Sequence, residues 1–186
     1  MSIEAIIRRE QQRYVDFFVG AKAALLQENA QVQTEVLISQ RDETISYPYR
    51  YMRVDARHMQ SEGKWSFNMQ HLGADPEVDS CRYDCGTFQL DIHPFAWSDM
   101  QIIFDKPPTD MGKIEKWITH WLDVEDTGAY AHSGVSGAIH NFFPVEQRDP
   151  LWILMGDMGT APPEALLELL TELGRQGMSH IVIAGG

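Results

Sequence analysis

The sequence predicts an α+β fold, a two-layer sandwich in which three helices cover a mainly antiparallel sheet. Two observations favour this class: short segments of the first half alternate apolar and polar residues, and three other segments repeat apolar residues at helical spacing. The C-terminal order of β-hairpin, helix and strand is the third observation. We therefore expect a single α+β domain over residues 1–186.

The first half begins with a helix and continues with strands. Apolar side chains at spacings of three, four and seven predict a helix from Ile3 to about Gln27. Period-two alternation then predicts about five strands joined as an antiparallel meander, with Pro48 interrupting the second. The predicted strands begin near Val32, Ile45, Trp65, Phe88 and Met100. The polar stretch 72–86 is expected to be an exposed loop.

A second helix follows the prolines at 107 and 108. Its apolar stripe runs from Met111 to Leu122 and carries Trp117 and Trp121, four residues apart. A stripe of this kind, which also includes isoleucine and leucine, is typical of a helix face packed on the core. We expect both tryptophans to be buried.

The last third contains a strand pair, a helix and a strand. Two strands are expected at 138–145 and 151–155, joined by a hairpin-length turn. The prolines at 162 and 163 open a third helix that reaches about Arg175, and Gly177 closes it before the strand Ile181–Ile183.

The charge of the chain limits its partners. The formal net charge is −12, and residues 1–64 are balanced, so the whole excess lies in the remainder. An acidic surface repels phosphate groups, which argues against nucleic acid and anionic membranes as partners. The partners that it favours are a basic protein or a small ligand. The sequence indicates no oligomeric state.

Composition also bears on the expected location and cofactors. There is no apolar run of the ~18 residues that a membrane span needs, and the N-terminus does not resemble a secretory signal. Only two cysteines are present, too few for a disulfide framework in a chain of this size. We expect a cytoplasmic protein, and the sequence by itself implies no cofactor.

Two cysteines lie four residues apart and form the first candidate site. Cys81 and Cys85 could supply two thiolate ligands, and His71 or His93 could complete a tetrahedral zinc site. Zinc motifs usually show a closer cysteine spacing and a second matched pair. The pattern therefore favours ordinary thiols over a metal site.

A carboxylate and an imidazole on one strand form the second candidate site. Asp91 and His93 are two residues apart, so their side chains should lie on the same face of a strand. Such a pair can orient a histidine as a general base or as a metal ligand. These two residues are the weak catalytic candidates, set against the simpler interpretation of a solvated polar face.

Two further segments are rich in small residues. The stretch 131–140 contains serines and histidines, but it lacks the glycine pattern and the strand-then-helix context of a nucleophile elbow. Gly156–Thr160 lies between a strand and a helix, where an anion could bind. Prolines remove donors there and Asp157 repels anions, so the glycines are expected to serve the turn and Thr160 to cap the helix.

Two function classes remain. The preferred one is a binding or interaction module, because the sequence contains no complete catalytic motif. The alternative is a small His/Asp-based enzyme, with or without a metal, that uses Asp91 and His93 together with His71, His132 or His140. Three polar titratable groups that converge in a concave pocket would favour the enzyme, whereas a filled sheet face with scattered histidines would favour the module.

Overall fold

The computed structural model describes residues 1–29, 31–60 and 63–185. Within these residues the chain forms three helices and ten strands. The helices are α1 (Ile3–Glu28), α2 (Met111–Leu122) and α3 (Pro163–Arg175). The strands are β1 (Val32–Ser39), β2 (Tyr51–Met59), β3 (Trp65–Asn68), β4 (Cys81–Asp84), β5 (Gln89–Ile92), β6 (Met100–Phe104), β7 (Asn141–Phe142), β8 (Glu146–Arg148), β9 (Leu151–Asp157) and β10 (His180–Gly185). The predicted α+β class is confirmed, because three helices accompany mostly antiparallel strands and the chain closes with strand, helix and strand.

The strands are divided between two sheets instead of forming one meander. The smaller sheet has the order β1-β2-β3, and the larger has the order β4-β5-β10-β6-β9-β7, with β8 paired to β9. Strand β10 is parallel to β5 and antiparallel to β6, so it separates two strands that the meander prediction placed next to each other. Ile181 and Ile183 are fully buried, and a continuous apolar run suits a strand in the middle of a sheet.

Three predicted boundaries were wrong. The strand expected from Ile45 begins only at Tyr51, because Pro48 has no amide hydrogen for a ladder. The expected loop 72–86 contains β4, a short polar strand at the sheet edge that carries little apolar signal. The strand expected at 138–145 shrinks to β7, and β8 occupies most of the expected hairpin turn.

Helices α2 and α3 pack together through the two tryptophans of α2. Trp117 and Trp121 are 8% and 6% exposed, so the prediction that this face belongs to the core is confirmed. Each indole also has a polar partner on α3: Trp117 Nε1 donates to the Ala165 carbonyl and Trp121 Nε1 donates to Glu168, both at 2.9 Å. These bonds fix the position of α2 on α3 while the rings fill the core.

The two sheets approach each other at the irregular segment before β7. The amide of Arg53 on β2 donates to the carbonyl of His140 at 2.7 Å, and the amide of His140 donates to the carbonyl of Asp157 at 2.9 Å. The backbone of one residue is therefore bonded to both sheets. We call this junction the seam.

Candidate metal centre

Four ionisable side chains from four segments meet at the seam. Glu35 comes from β1, Asp55 from β2, His140 from the segment before β7, and Asp157 from the end of β9. Their exposures are 5%, 0%, 1% and 7%. Fully buried carboxylates are rare unless they are paired or bind a metal. We call these four residues the seam cluster.

Glu35 and Asp55 occupy opposite positions on the paired strands β1 and β2. The antiparallel register pairs the residues on either side of them but not these two. Glu35 has a φ of 51°, a left-handed conformation that typically costs ~1–3 kcal/mol for a residue with a side chain. Its carboxylate is held by the amide and hydroxyl of Ser136 at 2.7 and 2.6 Å and by the Thr160 hydroxyl. The strain and the donors together turn this side chain toward the seam.

The two ring nitrogens of His140 have different surroundings. Nε2 lies 3.3 Å from Glu35 Oε1 in hydrogen-bond geometry, so this nitrogen carries the proton that Glu35 accepts. Nδ1 lies 2.8 Å from Asp55 Oδ1 and 3.6 Å from Asp157 Oδ2. Nδ1 is buried, and neither carboxylate is aligned with it for a hydrogen bond. In the neutral ring this nitrogen presents its lone pair beside two carboxylates.

The Gly156–Thr160 turn serves the seam cluster and does not cap α3. Asp157 Oδ1 accepts the amide hydrogen of Gly159 at 2.7 Å. Gly159 has a φ of 51°, and a Cβ built on it would lie 2.3 Å from Cδ2 of His140, so only glycine fits against the imidazole. The expected cap, Thr160, bonds Glu35 and the amide of Gly137 instead, and the N-cap position of α3 is Pro162.

The electrostatics of the cluster follow from burial and from contact between its members. Burial opposes the ionised form of Glu35, but hydrogen bonds from His140, Ser136 and Thr160 outweigh it and lower the pKa to about 2. For His140, burial disfavours the cation, yet the adjacent carboxylates raise its pKa well above the ordinary value. Burial raises the pKa of Asp157. The cationic form of the imidazole is therefore favoured in the metal-free chain.

The guanidinium of Arg53 does not supply a positive charge to the cluster. It lies on β2, two residues from Asp55, but donates to the Leu122 carbonyl at 3.0 Å and to the Asp126 carboxylate at 2.8 Å. Its bond to Glu35 is made to the backbone carbonyl. Three buried carboxylates therefore share a single imidazole.

Three members of the cluster have the arrangement of a metal-ligand set. One ligand atom each from Asp55, His140 and Asp157 lie within 4.8 Å of one another. Two ligands of one ion with ~2.0–2.2 Å bonds lie about 3–3.5 Å apart, comparable to the distances from Nδ1 to the two carboxylates. Glu35 accepts the hydrogen bond from Nε2, the other ring nitrogen of His140. A carboxylate in this position, outside the ligand set, commonly orients a metal-bound histidine.

Asp91 and His93, the catalytic candidates from the sequence, have separate partners. Asp91 forms a two-pronged ion pair with Arg82 at 2.6 and 2.7 Å and also contacts Nε2 of His180 at 3.0 Å. His93 is exposed and lies 2.8 Å from the Ser80 hydroxyl. The contacts of Asp91 connect adjacent strands near the edge of the larger sheet. A catalytic role for Asp91 or His93 stays a prediction.

The cysteine candidates for a metal site are not assembled into one. Cys81 and Cys85 are half-buried free thiols at β4, and Cys81 Sγ lies 3.3 Å from the Asp79 carbonyl. His71 and His93 are exposed. In residues 1–29, 31–60 and 63–185, the one group of three or more His, Cys, Asp or Glu side chains that gathers its ligand atoms is the set at the seam.

A surface cleft of about 590 Å³ adjoins the seam cluster on one side. Glu35 and Ser136 form part of its wall, and His132 lies at its surface with Nδ1 3.0 Å from the Tyr130 carbonyl. The ammonium of Lys22 donates to the Gly134 carbonyl in the loop that borders the cleft. The cleft therefore has one residue of the seam cluster, Glu35, in its wall.

The sequence patterns single out two members of the cluster, but not for a shared site. They offer His140 as one of several possible enzyme residues and Asp157 as a group that repels anions, and they single out neither Glu35 nor Asp55. A usable signal exists for Asp157, because an acidic residue directly follows the apolar run of β9. For Glu35 and Asp55 the signal lies in the pairing of β1 with β2, which a single sequence does not display.

The comparisons with known proteins add no functional information. In the described part of the chain no helix is both long and apolar enough to cross a bilayer. No protein-family model, curated protein or solved structure matches the chain significantly.

Proposed function

We propose that the protein is a binding module whose small ligand is one transition-metal ion, held at the seam by Asp55, His140 and Asp157. The main support is the environment of Nδ1 of His140. This atom is buried, has no aligned hydrogen-bond partner and lies beside two carboxylates. A cation at this point would accept the Nδ1 lone pair and both carboxylate oxygens.

The charge of the cluster supports the same conclusion. Burying an ionised carboxylate without compensation is strongly unfavourable. Each of the three carboxyl groups accepts one backbone amide hydrogen, from Ser136, Gln70 and Gly159. When all three are ionised, one imidazole does not balance their charge, and Arg53 is bonded elsewhere. A metal ion reduces this excess more than a single proton on Nδ1 can.

The donor set limits the kind of ion. Carboxylate oxygens suit Mg²⁺, Ca²⁺ and Mn²⁺, whereas an imidazole suits zinc, iron, copper and nickel. A site with two carboxylates and one imidazole favours ions that accept both, namely manganese, iron and zinc. The half-buried cysteines lie at β4, so no thiolate shifts this preference toward copper(I).

Burial of the ligands favours binding over turnover. The neighbouring cleft is lined by Glu35 and Ser136 and not by the three ligands themselves. A metal-dependent enzyme needs an open coordination position that substrate can reach. We therefore place the His/Asp enzyme second, and the basic protein partner expected from the net charge also stays a prediction.

An ion at this place would link the two sheets. Asp55 belongs to the smaller sheet and Asp157 to the larger one. Binding to the folded chain alone stabilises it by mass action. The bound protein should therefore melt at a higher temperature than the metal-free protein.

The experiment is metal reconstitution followed by elemental analysis. Chelator-treated protein is loaded with Mn²⁺, Fe²⁺ or Zn²⁺, desalted and analysed, together with Asp157→Asn and, as a surface control, His93→Ala. Wild type and His93→Ala should retain about one ion per chain, whereas Asp157→Asn should retain much less. Retention of no ion by wild type, or equal retention by Asp157→Asn, would overturn the proposal. Circular dichroism confirms that each variant is folded.

A further inference from the structure

Tyr14 directs a buried hydroxyl into the seam cluster from α1. The side chain is 1% exposed and its ring stacks on Phe18, with centroids 6.2 Å apart. Its hydroxyl lies 3.5 Å from Asp55 Oδ1. Hydrogen bonds between oxygens usually measure ~2.5–3.0 Å. The hydrogen bond that the phenol donates to Asp55 is therefore long and weak.

The position of this hydroxyl suits a ligand better than a hydrogen-bond donor. Two oxygens bound to one metal ion lie about 3–3.5 Å apart when the bonds are ~2.0–2.2 Å, and the Tyr14–Asp55 separation falls at the end of that range. The Tyr14 hydroxyl therefore lies at a ligand-to-ligand distance from Asp55, one of the three proposed ligands.

We infer that Tyr14 is the fourth ligand and that the ion held at the seam is ferric iron. This inference rests on the proposed metal site and names its ion. Phenolate is a hard, strongly basic anion, and among the ions that accept carboxylate and imidazole it matches Fe³⁺ best. Three anionic oxygens, from Asp55, Asp157 and Tyr14, then balance the three positive charges of the ion in a buried site.

The binding step involves no change of oxidation state. The O–H bond of Tyr14 breaks, the oxygen keeps the electron pair and forms the bond to iron, and the proton passes to the buffer. Iron enters as Fe³⁺ and remains Fe³⁺.

The test is the colour of the iron-loaded protein. Ferric nitrilotriacetate is added to chelator-treated wild type, to Tyr14→Phe and to Tyr130→Phe, whose hydroxyl bonds the ring of His120 at the surface. Phenolate bound to Fe³⁺ gives a visible charge-transfer band. Wild type and Tyr130→Phe should show the band, and Tyr14→Phe should lose it and bind Fe³⁺ about tenfold or more weakly.

Two results would overturn the assignment of Tyr14: iron bound to wild type without a visible band, or a band that persists in Tyr14→Phe. Resonance Raman spectra of wild type supply a check that needs no variant, because only coordinated tyrosinate enhances the phenolate ring modes. Retention of Mn²⁺ or Zn²⁺ by wild type with no ferric band would sink the inference and leave the proposed site standing. Failure to retain any metal would overturn both.

Discussion

Glu35 and Asp55 stand opposite each other on paired strands, and the imidazole of His140 lies between their carboxylates. Nε2 of the ring is 3.3 Å from Glu35, and Nδ1 is 2.8 Å from Asp55. Glu35 therefore accepts the proton on Nε2, while Asp55 lies beside Nδ1, the nitrogen at which a metal ion would replace a proton. This division of roles gives the histidine an orienting side and a ligand side.

Replacing the orienting carboxylate should weaken metal binding without removing a ligand. In Glu35→Gln the amide is a poorer acceptor for Nε2–H, so the ring is less basic and less firmly oriented. We expect metal affinity to fall about 10–100-fold, as measured by competition with a chelator. Glu146→Gln, at an exposed position on β8, is the matched control, and an unchanged affinity in Glu35→Gln would contradict the orienting role.

The metal-free protein should lose stability in acid because of Glu35. Its pKa is about 2 in the folded chain against an ordinary value of 4.5. A lowered pKa stabilises the fold above the unfolded value, and that contribution is lost as the pH falls from about 4.5 toward 2. The loss should be on the order of 3 kcal/mol, as measured by urea unfolding. In Glu35→Gln the free energy of unfolding should depend less on pH in this acid range. An equally steep dependence would contradict the low pKa of Glu35.

His140 should produce the opposite dependence at higher pH. Its pKa in the folded chain is raised well above 6.5 by the neighbouring carboxylates. A raised pKa stabilises the fold below the unfolded value, and this contribution disappears as the pH rises through the folded value. Metal-free protein should therefore melt at lower temperature in alkaline buffer, and metal should reduce the effect. A melting temperature that does not depend on pH above neutrality would argue against the contact between His140 and the neighbouring carboxylates.

The glycine beside His140 should resist substitution. In Gly159→Ala the new methyl group would lie 2.3 Å from the imidazole, and the residue would keep a φ of 51°. Gly177→Ala is a matched control, because its φ is 87° with no atom within 4 Å of the added Cβ. The control should be destabilised only by the ~1–2 kcal/mol that a left-handed conformation costs a residue with a side chain. Gly159→Ala should be destabilised more, as measured by thermal unfolding, and should also bind metal more weakly. Equal destabilisation of the two variants would show that the His140 ring can move aside.

Trp121, one of the two tryptophans on α2, belongs to the packed core. Trp121→Ala should lower the free energy of unfolding by about 3–5 kcal/mol, because it removes a buried ring and leaves a cavity. Trp65→Ala, at a position that is 36% exposed on β3, should cost much less. Chemical denaturation measures both, and equal costs would mean that the α2–α3 contact is not a core contact.

The sequence predicted the elements better than their partners. Helical spacing located all three helices, because a buried stripe repeats along one continuous segment. Alternation located β1, β3, β5 and β6, but it does not encode pairing, and β10 entered the sheet between β5 and β6. Pairing depends on contacts that are distant in the chain, so a single sequence does not display it.

The candidate site could not be predicted either, because its residues come together only through the pairing of distant segments. Glu35 and Asp55 look like ordinary polar residues of alternating strands, and the feature that distinguishes them is that they face each other with His140 between them. Asp91 and His93 looked more promising because they are near in sequence. The sequence gives proximity along the chain, whereas the seam cluster draws its members from four segments.

Metal binding at the seam is measured most directly by a crystal structure of metal-loaded protein with anomalous scattering at the absorption edge of the metal. We expect one anomalous peak at bonding distance, ~2.0–2.2 Å, from Nδ1 of His140 and from carboxylate oxygens of Asp55 and Asp157. A doubly protonated His140 that donates from Nδ1 to a carboxylate, with no anomalous peak at the seam, would contradict it.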